Sequence, residues 1–310
     1  MNISRRLSTK TLILSLLLSI ALLTGCYTVP ETNRRSLVLI DEVTEIQLGL
    51  SAYSQARTET PISIDPTYNR RVMTVGNRIS TVANKPSYQW DFTVFDAPDT
   101  VNAWCLPGGK IGIYTGLFKL VHNESQLAFV MSHEVGHAVA KHGAERISHG
   151  LLLAAGSEVI ASTMDNETAE DQKKVQQVRA AYGIGSTLFI MLPFSRKHEY
   201  EADRIGLMYM SDAGYDPREA VRLQKEFIEY HEEKGSSMPE YLSTHPSDKK
   251  RLAQMEELLP EAMRRYSRAT GQELPAEFQA GNEIPGAKVN YNSGGQKTRK
   301  SHYTGVKLGN

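Results

Sequence analysis

The stretch Ser125 to Lys141 sets His133, Glu134 and His137 into a run that is otherwise largely apolar. Leu127, Val130, Met131, Val135, Ala138 and Val139 fall all round a helix, so that helix belongs in the interior. Two imidazoles and a carboxylate buried there need a reason, because an uncompensated buried polar group is costly. The fold must therefore close a core around this helix and satisfy its polar face.

A helix advances by about 100° per residue, so His133 and His137 share one face. Two imidazoles so placed can hold one Zn²⁺, with nitrogens at about 2.0–2.1 Å. Glu134 follows the first His and is positioned to take a proton from water that the metal acidifies. A catalytic zinc takes three protein ligands and keeps one position open. No third His follows at short spacing. The remaining ligand is expected in His198-Glu199-Tyr200-Glu201-Ala202-Asp203. On a helix, Glu199 and Asp203 lie one turn apart on the same face. One could bind the metal, and the other could accept the N–H of a ligand His. Glu201 points elsewhere and reads as solvated.

The N-terminus reads as a targeting segment. Arg5, Arg6 and Lys10 precede an uncharged run from Thr11 to Thr24, mostly Leu and Ile, with small residues after it. That run is shorter than the roughly 20 residues a spanning helix needs. Leu23-Thr24-Gly25-Cys26 resembles the bacterial lipobox, in which the Cys is acylated and the preceding bond is cut. Several acyl chains on one Cys anchor a protein stably. Tyr27 stands where an inner-membrane retention signal would have Asp, which implies the outer membrane, facing the periplasm. Cys105 is then left without a disulfide partner and reads as a small buried apolar residue.

The rest of the chain divides as signal peptide (1–25), tether (26–40), one domain (41–262) and a tail (280–310) expected to be disordered. Helices are expected over Asp41 to Arg57, from Asp65-Pro66 to Ala83, over Ser195 to Met210, from Asp216 to Lys234, and from Pro246 onward. Asn123 and Gln126 form a capping box. Trp90 to Phe95 alternates as a strand, and Pro107-Gly108-Gly109 turns into a second at Lys110 to Thr115. The picture is α+β, predominantly helical with a small sheet. The apolar arms Leu151 to Ile160 and Gly183 to Phe194 read as packed core helices, with a hairpin over the cleft or a seat against the membrane as the other possibilities. The chain has 35 basic and 35 acidic residues, and this neutral balance gives no reason to expect nucleic acid.

Ser132-His133-Glu134-Val135-Gly136-His137, with the later Glu199-Tyr200-Glu201-Ala202-Asp203, resembles the HtpX/BepA-like gluzincin peptidases, relatives of the CAAX prenyl proteases. The resemblance spans about residues 40 to 260. It is greatest to the short lipoprotein (LoiP-like) members and to the catalytic part of the Oma-type peptidases. It implies a zincin-type fold with one Zn²⁺ per chain, Glu199 as third ligand and Asp203 supporting a ligand His. It also covers Val101-Asn102-Ala103 and Pro107-Gly108-Gly109, a segment preceding an edge strand that pairs with extended substrate. Asn102, Gly108 and Gly109 are thus expected along the substrate, with the strand Lys110 to Thr115 as the edge. The chain lacks the multiple spanning helices of the prenyl proteases and the helical repeats of some periplasmic members.

His245, in Ser243-Thr244-His245-Pro246, is a candidate either for stabilising an oxyanion or for occupying the metal's open position. His122, His142 and His149 read as surface or packing residues, and His198 as structural. The functional expectation is an endopeptidase acting on misfolded or misassembled envelope proteins. The competing expectation is a lipid-anchored, chaperone-like binding factor with structural zinc. An inactive scaffold has no need of Glu134.

Overall fold

The computed structural model describes residues 26–163, 194–234, 239–246 and 248–279. The expected signal peptide and the tail 280–310 lie outside the described residues, as do the charged stretch Asp165 to Arg179 between the two apolar arms and the second arm up to Phe194. The architecture is predominantly helical with a small mixed sheet, as expected.

Aspartates open the first two long helices. Asp41 caps α1 (Glu42–Glu59) by accepting from Thr44 N, and Asp65 caps α2 (Pro66–Ala83) by accepting from Thr67 N. Pro66 at the first helical turn has a preset φ and no N–H to leave unpaired. On α2, Val72, Val75 and Ile79 form a buried stripe at helical spacing. Each such side chain contributes roughly 1.5–3 kcal/mol by leaving water.

Three strands form the main sheet: β3 (Asp91–Phe95), β4 (Ala103–Leu106) and β5 (Lys110–Tyr114). Their order is β3-β5-β4, parallel between β3 and β5 and antiparallel between β4 and β5. This corrects one expectation. Lys110 to Thr115 is not an edge: β5 is the central strand, paired on both sides. The outer side of β3 is itself covered by the bridge Ile62↔Phe95 and by Ser63 N donating to Val94 O. Among the described residues the open edge is β4, which the sequence reading left unassigned.

Alternation along the strands builds two cores. Val94, Ala103, Ile111 and Ile113 join the larger cluster with the stripe of α2. Phe95, Trp104 and Leu106 face the other way, onto Ala52, Tyr53 and Ala56 of α1. Gly112 makes this possible, since a Cβ there would lie 2.3 Å from the Trp104 ring. The turn before β5 needs its glycines, because Gly108 and Gly109 hold φ of 89° and 83°.

The stretch expected as a tether folds instead. A two-stranded hairpin, β1 (Cys26–Thr28) and β2 (Arg35–Leu37), buries Val29 and Ser36. Helix α3 (Glu124–Val139) crosses the interior, and α4 (His142–Thr163) follows after a left-handed Lys141. The first apolar arm is part of α4. The chain resumes with α5 (Arg196–Asp212), α6 (Arg218–Lys234), the short α7 (Glu240–Thr244) and α8 (Lys249–Thr270). No helix among the described residues is long and apolar enough to cross a membrane.

Candidate metal centre

Helix α3 is buried from Gln126 to Val139. Its N-cap Asn123 accepts from Gln126 N at 2.9 Å. Gln126 Oε1 reaches back one residue beyond the expected capping box, to His122 N at 2.8 Å. Helix α5 starts on Ser195, whose side chain accepts from His198 N.

The two helices cross at glycines. A Cβ on Gly206 would lie 2.9 Å from His133 N, and one on Gly136 would lie 3.1 Å from Ala202 O. Ser132 Oγ donates across the crossing to Gly206 O at 2.8 Å. This close approach sets Glu199 beside the His133–His137 face of α3. His245, the residue that ends α7, supplies a further imidazole.

Four donor atoms converge. His133 Nε2 lies 3.1 Å from His137 Nε2 and 3.5 Å from Glu199 Oε2. His137 Nε2 lies 3.3 Å from Glu199 Oε1. His245 Nδ1 lies 3.3 Å from His133 Nε2 and 3.1 Å from Glu199 Oε1. All four residues are buried, with ligand atoms within 4.8 Å of one another. A tetrahedral zinc with ligands near 2.0–2.1 Å holds them about 3.3 Å apart, so the spacing suits that ion. The chemistry fits as well, because two imidazoles and a carboxylate are the donor types that zinc takes.

The surrounding charges agree. Burial opposes charging of His133, yet hydrogen bonding to Asp203 and Glu199 outweighs it and pushes its pKa up to about 9. Burial likewise opposes Glu199, but His245, Arg251 and the two α3 imidazoles hold its carboxyl well below the ordinary range. The pocket therefore keeps its carboxylate ionised and favours positive charge beside it.

Glu134 is buried with its Oε1 3.4 Å from His245 Nε2. That oxygen has no hydrogen-bond partner among the described residues. Burial pushes its pKa up, against His245 and His133. Asp203 faces the other ring nitrogen of His133, with Oδ1 3.0 Å from Nδ1. Thus Glu134, His133, His137, Glu199, Asp203 and His245 come together. Gly108 and Gly109 shape the β4–β5 turn. Asn102 is buried and its Oδ1 accepts from Ala103 N at 2.8 Å. Cys26, the first described residue, is exposed. Cys105 is half-buried against the larger core, and burial, with Glu134 nearby, pushes its thiol pKa well up.

Sequence reasoning missed several residues here. Arg251 of α8 pairs with both Asp203 and Glu199, and its Nη1 also donates to His245 O and Pro246 O. The available signal was the need of two buried carboxylates for a cation. Phe194 stacks on His137 with ring centroids 3.9 Å apart, and Arg146 lies 4.2 Å from the Phe194 centroid. His142, read as a surface or packing residue, is fully buried, with Nδ1 2.9 Å from His137 Nδ1. Glu201, read as solvated, is buried and accepts from Arg34 and Thr32. His198 stacks on His142, which suits a structural role, while His122 and His149 are at the surface.

The sequence profile of peptidase family M48 matches residues 66–259. The mitochondrial metalloendopeptidase OMA1 of Schizosaccharomyces pombe is 33% identical over 237 residues, covering 76% of this chain and 66% of that protein. OMA1 of Arabidopsis thaliana is 42% identical over 176 residues, covering 55% of this chain and 33% of that protein. The beta-barrel assembly-enhancing protease of Escherichia coli K12 is 28% identical over 209 residues, covering 67% of this chain and 42% of that protein. The chain thus spans between a third and two thirds of the length of these relatives.

Proposed function

The chain belongs to peptidase family M48, whose members are zinc-dependent metalloprotease hydrolases, and from that premise we propose that it is a membrane-anchored metalloendopeptidase cleaving misfolded or misassembled envelope proteins. The observation that carries this reading is the near-tetrahedral spacing of His133, His137 and Glu199 with Glu134 beside them.

His133, His137 and Glu199 would hold one Zn²⁺. When bound, zinc supplies a Lewis acid that polarises a scissile carbonyl and makes water easier to deprotonate. Glu134 is the general base. It takes a proton from the attacking water and returns it to the departing amine. Its raised pKa suits that return step, because a carboxyl that protonates readily can carry the proton between the two. Asp203, with Oδ1 3.0 Å from Nδ1 of His133, favours a proton on that nitrogen, so that Nε2 stays free to ligate.

Substrate lies as an added strand along β4 rather than β5. Asn102 and Tyr114 are hydrogen-bonded partners, so pairing alternates: the Ala103 C=O and the N–H and C=O of Cys105 face away from β5, while the Ala103 N–H is taken by Asn102 Oδ1. Val101 O accepts from Tyr241 N, which puts this edge next to the segment bearing His245. An unfolded peptide adding there meets backbone groups with little regard to side chain, as suits misfolded substrates. Cys26 carries the lipid anchor. Outer-membrane attachment facing the periplasm follows from the lipobox and from Tyr27, and accords with a relative named for enhancing β-barrel assembly.

A second reading has one observation in its favour. His245 Nδ1 lies close enough to His133 and Glu199 to be a fourth ligand. A closed site of that kind would suit a chaperone-like, zinc-bound binding factor. In the peptidase, His245 would leave that position and its ring could face the oxyanion. Casein cleavage by His245→Ala beside wild type separates the two, since a peptidase cleaves in at least one of them and a binding factor in neither. Cys26→Ser, followed by membrane fractionation, tests the anchor.

A further inference from the structure

The N-terminal hairpin is bonded into the interior beside the metal centre. Tyr27, next to Cys26, donates its hydroxyl to Val139 O at 2.7 Å, at the C-terminal end of α3. Beyond the turn, Arg34 forks onto Glu145 of α4, Nη1 to Oε1 at 2.9 Å and Nη2 to Oε2 at 2.7 Å. Its Nε donates to Glu201 Oε2 of α5 at 2.7 Å. The same Glu201 oxygen lies 2.9 Å from His142 Nε2, and His142 Nδ1 lies 2.9 Å from His137 Nδ1.

This chain of bonds has one consistent direction. If His137 ligates through Nε2, its Nδ1 carries the proton and donates to His142 Nδ1. His142 must then be neutral with its proton on Nε2, which donates to Glu201 Oε2. Glu201 is an acceptor only, and it is kept ionised by Arg34 and by Thr32 Oγ1 on its other oxygen. Each group therefore dictates the tautomer of the next. A ligand His is usually oriented by a carboxylate or carbonyl directly. Here the carboxylate stands one imidazole further away, and its cation comes from the N-terminal hairpin.

We propose that Arg34 is a positioning residue of the metal centre: through Glu201 and His142 it fixes the ring orientation of His137, so the hairpin that follows the anchoring Cys26 is a working part of the site. This rests on the zinc reading above. It assigns the 26–37 segment a role beyond tethering, since a hairpin pulled from its seat would withdraw Arg34 from Glu201 and loosen one metal ligand.

The test uses the full chain and reads the metal rather than turnover. Zinc affinity is measured by competition with a chromophoric chelator, and site geometry by the visible absorption of the Co²⁺-substituted protein. His142→Ala is expected to weaken zinc binding roughly 10- to 100-fold, the usual range for a group supporting a ligand. Arg34→Ala should weaken it in the same direction and shift the Co²⁺ spectrum. The double variant should bind no more weakly than His142→Ala, because both changes act along one path. Glu201→Gln, which keeps the side chain's shape, should reproduce the Arg34 effect even if Arg34→Ala folds poorly. A lowered melting temperature with unchanged zinc affinity and Co²⁺ spectrum in Arg34→Ala and Glu201→Gln would overturn the proposal and leave the hairpin a structural strap. A wild type that binds neither zinc nor Co²⁺, as His133→Ala should not, would instead overturn the zinc reading on which it rests.

Discussion

Arg251 grips Asp203 through two parallel bonds, Nε to Oδ2 and Nη2 to Oδ1, each 2.7 Å. The pair is buried, and Arg251 Nη1 also lies 2.8 Å from Glu199 Oε2. One cation from α8 thus balances two carboxylates of α5. Arg251→Met should therefore cost about 3–5 kcal/mol of folding free energy, the range for removing one partner of a buried ion pair. Arg251→Lys should recover little, because an ammonium cannot reproduce the fork. Urea unfolding in the presence of chelator measures this, and added zinc should restore part of the loss by supplying positive charge. Wild-type stability in Arg251→Met would contradict the assigned balance.

The crossing of α3 and α5 depends on Gly206. A methyl there would meet the backbone of His133 at 2.9–3.0 Å, and backbone cannot swing aside as a side chain can. Gly206→Ala should cost roughly 1–3 kcal/mol by overpacking and should weaken zinc binding, since it moves Glu199 away from His133 and His137. Gly136→Ala, with its nearest contact at 3.1 Å, should have the smaller effect. Melting curves and chelator competition on the two variants check the order. Unchanged metal affinity in Gly206→Ala would show that the crossing does not set the ligand spacing.

Acid should weaken the fold through Glu145. Burial raises its pKa, but His198 and Arg34 beside the carboxyl outweigh burial and hold it far below its ordinary 4.5. A depressed folded pKa gives stability that is complete above the ordinary value and lost as pH falls below it. Glu145→Gln should therefore melt well below wild type at pH 7, and the gap should narrow from about pH 4.5 downward. A gap that stays constant between pH 7 and pH 3 would mean that the Glu145 charge does not stabilise the fold.

The open edge of β4 can be tested with one proline. Proline is tolerated in an edge strand where the N–H faces away from the sheet, as the Cys105 N–H does. Cys105→Pro should keep its zinc while kcat/KM on casein falls roughly 2- to 12-fold, the worth of one hydrogen bond of about 0.5–1.5 kcal/mol. Cys105→Ala should cleave like wild type, since the thiol has no role. Equal activity in Cys105→Pro and wild type would move the substrate strand elsewhere.

What was legible in the sequence was local. Asp41, Asp65, Asn123 and Ser195 announce helix starts because a cap and the backbone N–H that donates to it lie within three residues. His133, Glu134 and His137 were readable because the helix period alone puts both imidazoles on one face. The sheet order was not, because the parallel pairing of β3 with β5 depends on a crossover and β4 is too short to show alternation. The same limit hid the supporting residues. Arg34 meets Glu201 across 167 positions, and Arg251 meets Asp203 across 48. Glu201 looked solvated because it lies off the Glu199–Asp203 face, but α5 is packed on that side too, against the hairpin that the sequence presented as a tether.

The most direct test is zinc content and casein cleavage measured together on the purified chain, wild type beside Glu134→Gln and His245→Ala. The account predicts one zinc per chain in wild type and Glu134→Gln, and no cleavage by Glu134→Gln while wild type or His245→Ala cleaves. Absence of zinc from wild type, or cleavage by Glu134→Gln at the wild-type rate, would contradict it.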